Sequence, residues 1–298
     1  MIPHASPHLS KVQPYKPNPT NIVVILLAWP CTTTRMAPAV VLWLETLCRV
    51  LATSLLLFVL DVLPHSLRQH LLPVGVCGRL FTGLRTVSAL WRRTACNLRP
   101  TLRASELLPP VPVLLEHGDA TEVTLSDLAT VGRPLLLAFG SCTCPPFLAA
   151  LPALVALSSR YADRADCALV YVEEAHPLDG WRHDGVRHAI AQHTSLVQRR
   201  AAAATLKTEL LCVGAAVQRL TLAVDLMGNA TALAFGALPV RLALMLDGRL
   251  VWLGQRESAN VNALQAALEE TLRQLFKFQV NVSSDFFKNS ITVFVRVP

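Results

Sequence analysis

The sequence predicts an α/β domain that follows a single membrane-spanning helix, and three observations indicate this fold class. The 298 residues are 52% apolar, and their mean hydropathy of +0.43 is too high for an ordinary soluble domain. One long apolar run lies near the amino terminus. In the second half of the chain, short β-rich runs alternate with helical runs, which is typical of α/β domains.

The long apolar run covers Val40–Leu63. At about 1.5 Å per residue it can cross a hydrocarbon core about 30 Å thick. Glu45 and Arg49 interrupt it at i,i+4 spacing, where the two side chains can pair. We predict one spanning helix; an interfacial helix or hairpin and a buried soluble helix are the alternatives. More basic residues follow the run than precede it, so the domain after it should face the cytosol. The membrane is expected to be that of the endoplasmic reticulum or the plasma membrane.

The net charge of +7 is concentrated in a local basic segment between Asp61 and Glu106, which contains seven arginines and no acidic residue. These are Arg68, Arg79, Arg85, Arg92, Arg93, Arg99 and Arg103. Such a segment beside an apolar helix is expected to lie near anionic lipid, so we predict no nucleic-acid partner.

The chain divides into five predicted parts. Residues 1–39 are an amino-terminal segment that we expect to be disordered, and residues 40–63 are the membrane anchor. Residues 64–114 are the basic juxtamembrane segment and a proline-marked linker. Residues 115–278 are predicted to form a globular domain, and residues 279–298 are a tail with no assigned structure.

The globular domain has the predicted element order β-α-β-α-β-β-α. The strands are Leu135–Phe139, Ala168–Val172, Leu222–Val224, Leu242–Leu246 and Leu250–Leu253, and the helices are Phe147–Tyr161, Ser195–Leu211 and Asn260–Phe276. Asp247-Gly248 between the last two strands is a hairpin signal. This order is that of a thioredoxin-like fold. Such folds place a cis-proline opposite the redox cysteine, and Pro239 stands at the matching point of the chain.

The eight cysteines lack the spacing of a disulfide scaffold or a zinc module, which fits a reducing compartment. Only Cys142 and Cys144 are close in sequence. Cys144 lies on the turn before the helix that opens at Pro145-Pro146, where peptide dipoles are expected to lower the thiol pKa. Both a structural and a reactive role are open for Cys144. Cys142 is either a buried thiol or a partner for a transient disulfide.

Carboxylates and an imidazole follow the strand Ala168–Val172, where α/β sheets build their sites. Glu173, Glu174 and His176 have the chemistry that proton transfer needs. Taken alone, the carboxylates are more often solvated loop charges. His193, further along the chain, is likewise more often a surface or packing histidine.

Three segments together resemble the active-site segments of the iodothyronine deiodinases. They are Gly140–Phe147, Tyr171–Pro177 with Asp179–Trp181, and Gln192–Leu196. The resemblance runs from about Gly118 to Leu272, and the anchor with Leu60–Leu63 also looks like that of the family.

This resemblance implies reductive removal of iodine from iodothyronines, the thyroid hormones, by a selenol or thiol on a thioredoxin-like domain. It also implies a thiol reductant as cosubstrate, no tightly bound cofactor, and a homodimer. Cys144 takes the position of the selenocysteine. Glu174, His176 and His193 take the positions of the family's catalytic acid and imidazoles.

Other positions match the family less closely. Cys142 matches a neighbouring cysteine and is a candidate resolving thiol, and Arg256 loosely matches a substrate-contacting arginine. Ala138 replaces an asparagine, Val213–Leu220 looks like an insertion, and the family's Gly-Pro-x-x-Tyr is absent from Gln255–Asn262.

Several functional alternatives remain open from the sequence. Gln192–Leu196 resembles the inner-ring type of deiodinase, whereas Gly236–Pro239 resembles the outer-ring type. A different thiol reductase or peroxidase, or a non-catalytic membrane protein with this fold, would also fit the residues. Zinc would find acceptable ligands in the two cysteines and His176 and His193, but the spacing matches no standard module, so we predict no metal.

Overall fold

A computed structural model of the chain describes residues 39–64, 67, 83–99, 101–115, 121–182, 186–213 and 220–275. Nearly all of the segment 1–39, the tail 279–298 and most of the insertion expected at Val213–Leu220 lie outside the described residues.

Helix α1 covers Ala39–Val62 and, as predicted, is long and apolar enough to cross a membrane. Arg49 Nη2 lies 2.5 Å from Glu45 Oε1, so the two charges pair as their spacing predicts. Many of the large apolar side chains of α1 are exposed, among them Trp43 and Phe58, which suits contact with lipid.

Helix α2 covers Leu84–Leu98, within the basic segment, for which no secondary structure was assigned from the sequence. It packs on α1 through an apolar cluster that includes Val50 and Leu90. Trp91 meets Trp43 of α1 edge-on, with ring centroids 5.8 Å apart. Because α2 has polar residues on its other face, this packing rather than intrinsic helix propensity stabilises it.

The domain is built on a seven-stranded sheet with the order β2-β1-β5-β4-β3-β6-β7. The strands are β1 (Pro112–Leu115), β2 (Glu122–Thr124), β3 (Leu135–Gly140), β4 (Asp166–Tyr171), β5 (Thr221–Asp225), β6 (Arg241–Leu246) and β7 (Arg249–Leu253). Strands β3, β4 and β5 run parallel, and β6 runs antiparallel to β3. Every residue of β3 is buried, as expected for a central strand covered on both faces.

Helices cover both faces of the sheet. They are α3 (Pro145–Arg160), α4 (Leu196–Cys212), α5 (Ala230–Phe235) and α6, described over residues 261–275. Leu136 and Ala138 of β3 pack with α3, α4 and α6, whereas Leu137 and Phe139 pack with α5 on the other face. Each such buried leucine or phenylalanine contributes about 1.5–3 kcal/mol to stability.

From β3 to α6 the chain follows the predicted thioredoxin-like order, and the described ends of these elements lie within two residues of the predictions. Asp247 and Gly248 have positive φ values of 47° and 72°, as a two-residue hairpin turn requires. The peptide bond between Leu238 and Pro239 is cis. The β1–β2 hairpin and α5 were not predicted, since both are short.

Candidate active site

The candidate nucleophile lies between β3 and α3. Cys144 is the N-cap of α3, with extended φ and ψ of −102° and 100°, and Pro145 begins the helix. Gly140 ends β3, and a Cβ at this position would lie 2.2 Å from Cγ of Phe147. The missing side chain therefore lets Phe147 pack beneath the turn and fixes where α3 begins.

The Cys144 thiol is free and only 1% exposed. Burial raises its pKa to about 12, although the backbone N–H of Phe147 and the charge of Arg93 act in the opposite direction. The backbone N–H at the start of α3 thus acts on the pKa of Cys144 in the expected direction, but the raising effect of burial is larger. Removing the thiolate from water costs more than the helix start contributes.

Cys142 is a free thiol that is fully buried. Its Sγ lies 3.7 Å from the carbonyl oxygen of Ala202 on α4, and burial raises its pKa to about 12. The thiol thus faces the core beside α4. Its expected role as a resolving thiol stays a prediction.

The carboxylate of Glu174 is the centre of a buried network. Its Oε2 accepts hydrogen bonds from the Thr143 hydroxyl at 2.5 Å and the Thr143 backbone N–H at 3.1 Å, and its Oε1 accepts from the Tyr171 hydroxyl. Nε2 of His193 lies 3.1 Å from Oε1, within ion-pair distance. The angle between the ring and the carboxylate is unsuitable for a hydrogen bond. Both ring nitrogens of His193 are therefore buried and form no hydrogen bond with the described residues.

Thr143 connects the nucleophile turn to the loop after β4. Besides donating to Glu174, its hydroxyl accepts the backbone N–H of His176 at 3.1 Å. Nδ1 of His176 lies 3.1 Å from the carbonyl oxygen of Trp181, and the two rings meet edge-on with centroids 5.3 Å apart. His176 is therefore held near the network by its backbone and by Trp181.

A small cleft opens beside this network. It is lined by Ala89, Arg92, Arg93, Glu173, Glu174, Ala175, Pro177, Trp181, Leu238 and Pro239. Its cavity volume of about 30 Å³ leaves room for about two water molecules. Among the described residues, no group of three or more His, Cys, Asp or Glu could hold a metal ion.

Two more predicted site residues occupy different places. Pro239 lines the cleft together with Glu174. Arg256 instead donates to the Asn97 side chain at 3.3 Å and to the Arg99 carbonyl at 3.4 Å, at the end of α2. The predicted contact of Arg256 with substrate stays a prediction.

Sequence reasoning missed Tyr171, Thr143 and the basic face of α2. Tyr171 ends β4, and burial together with the charge of Glu174 raises its pKa, so its hydroxyl remains a donor. Arg92 Nε lies 3.7 Å from Glu173 Oε1, Arg93 pairs with Glu257, and both arginines line the cleft. The expected contact of the basic segment with lipid stays a prediction. Thr143 and Tyr171 both lie in segments that carry the family resemblance, and that was the available signal for them.

Comparison with known proteins gives a consistent family. The model of the iodothyronine deiodinase family matches residues 36–272. The thyroxine 5-deiodinase of Sparus aurata is 32% identical over 81% of this chain and 92% of its own length, and that of Gallus gallus is 31% identical over 74% and 91%. The human thyroxine 5-deiodinase is 32% identical over 64% of this chain and 61% of its own length.

Solved structures are more distant. A peroxiredoxin-like protein from Aquifex aeolicus is 11% identical, with a TM-score of 0.39 over 58% of this chain and 90% of its own. The exposed lipoprotein thioredoxin of Streptococcus pneumoniae is 17% identical, with a TM-score of 0.35 over 54% and 99%. Similarity at this level does not bear on function.

Proposed function

Because the chain belongs to the iodothyronine deiodinase family, a family of oxidoreductases, we propose that it removes iodine from iodothyronines with Cys144 as the nucleophile. The observation that supports this role is the position of Cys144 at the start of α3, one residue from Thr143, which bonds the buried carboxylate of Glu174. The turn before α3 thus carries the proposed nucleophile and is bonded, through Thr143, to the group proposed to supply the proton.

The proposed chemistry begins with attack of the Cys144 thiolate on an aromatic iodine. A sulfur–iodine bond forms, the carbon–iodine bond breaks, and its electron pair stays on the ring carbon, which takes up a proton. Glu174, with His193 and His176, is the proposed source of that proton. The products are the deiodinated ring and a sulfenyl iodide on Cys144.

A thiol cosubstrate then regenerates the enzyme. A second thiol attacks the sulfenyl iodide and displaces iodide, which leaves a disulfide on Cys144, and another thiol reduces that disulfide. Cys142 is one candidate for the second thiol. Because its sulfur faces Ala202 in the core, an exogenous dithiol is the other candidate.

Thyroxine, deiodinated at the 5-position of its inner ring, is the proposed substrate. The relatives from Sparus aurata, Gallus gallus and human are all described as thyroxine 5-deiodinases, and Gln192–Leu196 resembles the inner-ring type. The proposed setting is a homodimer with one membrane span per chain and the catalytic domain in the cytosol. The basic residues that follow α1 support this orientation.

The test is an assay of the purified full-length protein with dithiol present. Iodide release from thyroxine, with loss of an inner-ring iodine in the product, is the expected result. Release from the outer ring would overturn only the ring assignment. Consumption of peroxide without iodide release would indicate a thiol peroxidase and would overturn the proposal.

A further inference from the structure

Arg93 of α2 reaches the candidate active site from outside the α/β domain. It lines the cleft together with Glu174 and Pro239. Its guanidinium also lies over the ring of Trp181, 5.7 Å from the ring centroid. A residue of the basic segment is thus part of the wall of the cleft beside Glu174.

The guanidinium is fixed by Glu257, which follows β7. Arg93 Nε donates to Glu257 Oε1 at 2.7 Å, and Arg93 Nη2 donates to Oε2, so the pair is bidentate. Asn97, one turn further along α2, donates to the same Oε1 at 2.9 Å. Glu257 therefore holds two side chains of α2.

The backbone of Glu257 is itself constrained. Its φ is 59°, in the left-handed region that few residues other than glycine adopt, and its N–H donates to the carbonyl oxygen of Val240 at 3.1 Å. Val240 directly follows Pro239. The anchor for Arg93 is thus joined to the cis-proline turn, and Glu257 itself lies in the range Gln255–Asn262, from which the family's Gly-Pro-x-x-Tyr is absent.

Burial is the main cause that raises the pKa of Cys144, and the charges of Glu174 and Glu257 raise it further. The charge of Arg93 lowers this pKa. His193 and Tyr171 contact Glu174. Arg93 is the cation among these groups. Glu257 positions Arg93 and partly offsets the effect of its charge on the pKa of Cys144.

We propose that Arg93 is a positioning residue of the reaction: its guanidinium, held over the cleft by Glu257, favours the ionised sulfur of Cys144. This inference rests on Cys144 being the nucleophile. It also makes α2 a functional part of the catalytic unit, since α2 packs on the membrane helix α1 and carries the cation.

The test measures alkylation of Cys144 by iodoacetamide in the full-length reduced protein between pH 6 and 11, resolved by peptide mass spectrometry from the other thiols. Arg93→Gln should slow alkylation at pH 8 by about threefold or more and displace the profile to higher pH. Arg93→Lys should restore most of the rate, because the charge returns. Arg85→Gln, a change of an exposed arginine on the same helix, is the matched control and should leave the profile unchanged.

Equal profiles for Arg93→Gln and Arg85→Gln would overturn the proposal. If Arg93→Gln does not fold, Glu257→Gln gives a second test, because the amide can still accept from Arg93 Nε while the opposing charge is removed. That variant should alkylate faster at pH 8, and an unchanged or slower rate would overturn the proposal. Alkylation requires no hormone, so this outcome is independent of whether the protein deiodinates thyroxine.

Discussion

Thr143 bonds one carboxylate oxygen of Glu174 twice, from its hydroxyl at 2.5 Å and from its backbone N–H at 3.1 Å. Both residues are buried, so these bonds act in a medium of low dielectric, which strengthens them. Thr143, which precedes the proposed nucleophile, is therefore bonded to Glu174, the proposed proton source. A substitution at either residue should alter the position of the other.

Glu174→Gln should lower iodide release by about 100-fold or more, because the amide keeps the size of the side chain but cannot hold and transfer a proton. The rate is measured with excess dithiol, and circular dichroism checks the fold. Glu122→Gln, a change of an exposed carboxylate on β2, is the control and should keep the parent rate. If Glu174→Gln releases iodide as fast as this control, Glu174 lies outside the proton path.

Cys144→Ser keeps the size of the side chain and removes the thiolate, so iodide release should fall to background while the fold survives. Cys144→Sec should raise the rate, since a selenol ionises more readily than a thiol. Cys167, on β4, provides the matched control. Burial also raises the pKa of its thiol to about 12. Its serine variant should retain activity. A serine variant of Cys144 with parental activity would exclude Cys144 as the nucleophile.

The pKa of Cys144, raised to about 12 by burial, predicts a steep pH dependence. Below the pKa the thiolate fraction changes about tenfold per pH unit, so alkylation of Cys144 should rise about tenfold per unit from pH 7 to 10. Peptide-resolved iodoacetamide labelling measures this slope. A plateau that begins below pH 8 would mean that the thiol is already ionised near neutrality.

The elements from β3 to α6 could be predicted because their patterns are local: a short apolar strand, a proline pair at a helix start, and an Asp-Gly turn. The grouping of Glu174 with Cys144 came from the resemblance, since nothing in the spacing joins residues 30 positions apart. Tyr171 opens one of the segments that carry the resemblance, but its own pattern is that of any buried strand residue, so its hydrogen bond to Glu174 could not be predicted.

The pairing of Arg93 with Glu257 could not be predicted for a different reason. The two residues are 164 positions apart, and each looks locally like a solvated charge. The net basic charge of the segment also favoured a lipid-facing interpretation. In α2, however, Val87, Leu90 and Trp91 recur at helical spacing, which is the signal that would have indicated a packed helix.

Deletion of residues 1–63 should release the remaining chain from membranes, because no other described helix is long and apolar enough to span a bilayer. Carbonate extraction measures the association. The truncation also uncovers the face of α2 that contacts α1, so the soluble product should bind more of an apolar dye than the intact protein in detergent. Carbonate-resistant association of the truncated chain would contradict the assignment of α1 as the anchor.

Orientation can be tested on intact cells. If the catalytic domain is cytosolic, protease added outside should leave it whole until detergent opens the membrane. The cleavage pattern is followed with an antibody against the domain. Cleavage of that domain without detergent would reverse the orientation.

Gly140→Ala should destabilise the protein and reduce its activity together. The new Cβ would lie 2.2 Å from Cγ of Phe147, far inside any real contact, so the start of α3 must shift and displace Cys144 with it. Overpacking of this kind costs about 1–3 kcal/mol or more.

Gly228→Ala is the matched control, because its Cβ would have no neighbour within 4 Å and its φ is not positive. That control should unfold at the parental temperature or slightly above, since alanine restricts the unfolded chain. Thermal unfolding and iodide release are measured on both variants, and equal stability of the two would show that Phe147 can move aside without disturbing the site.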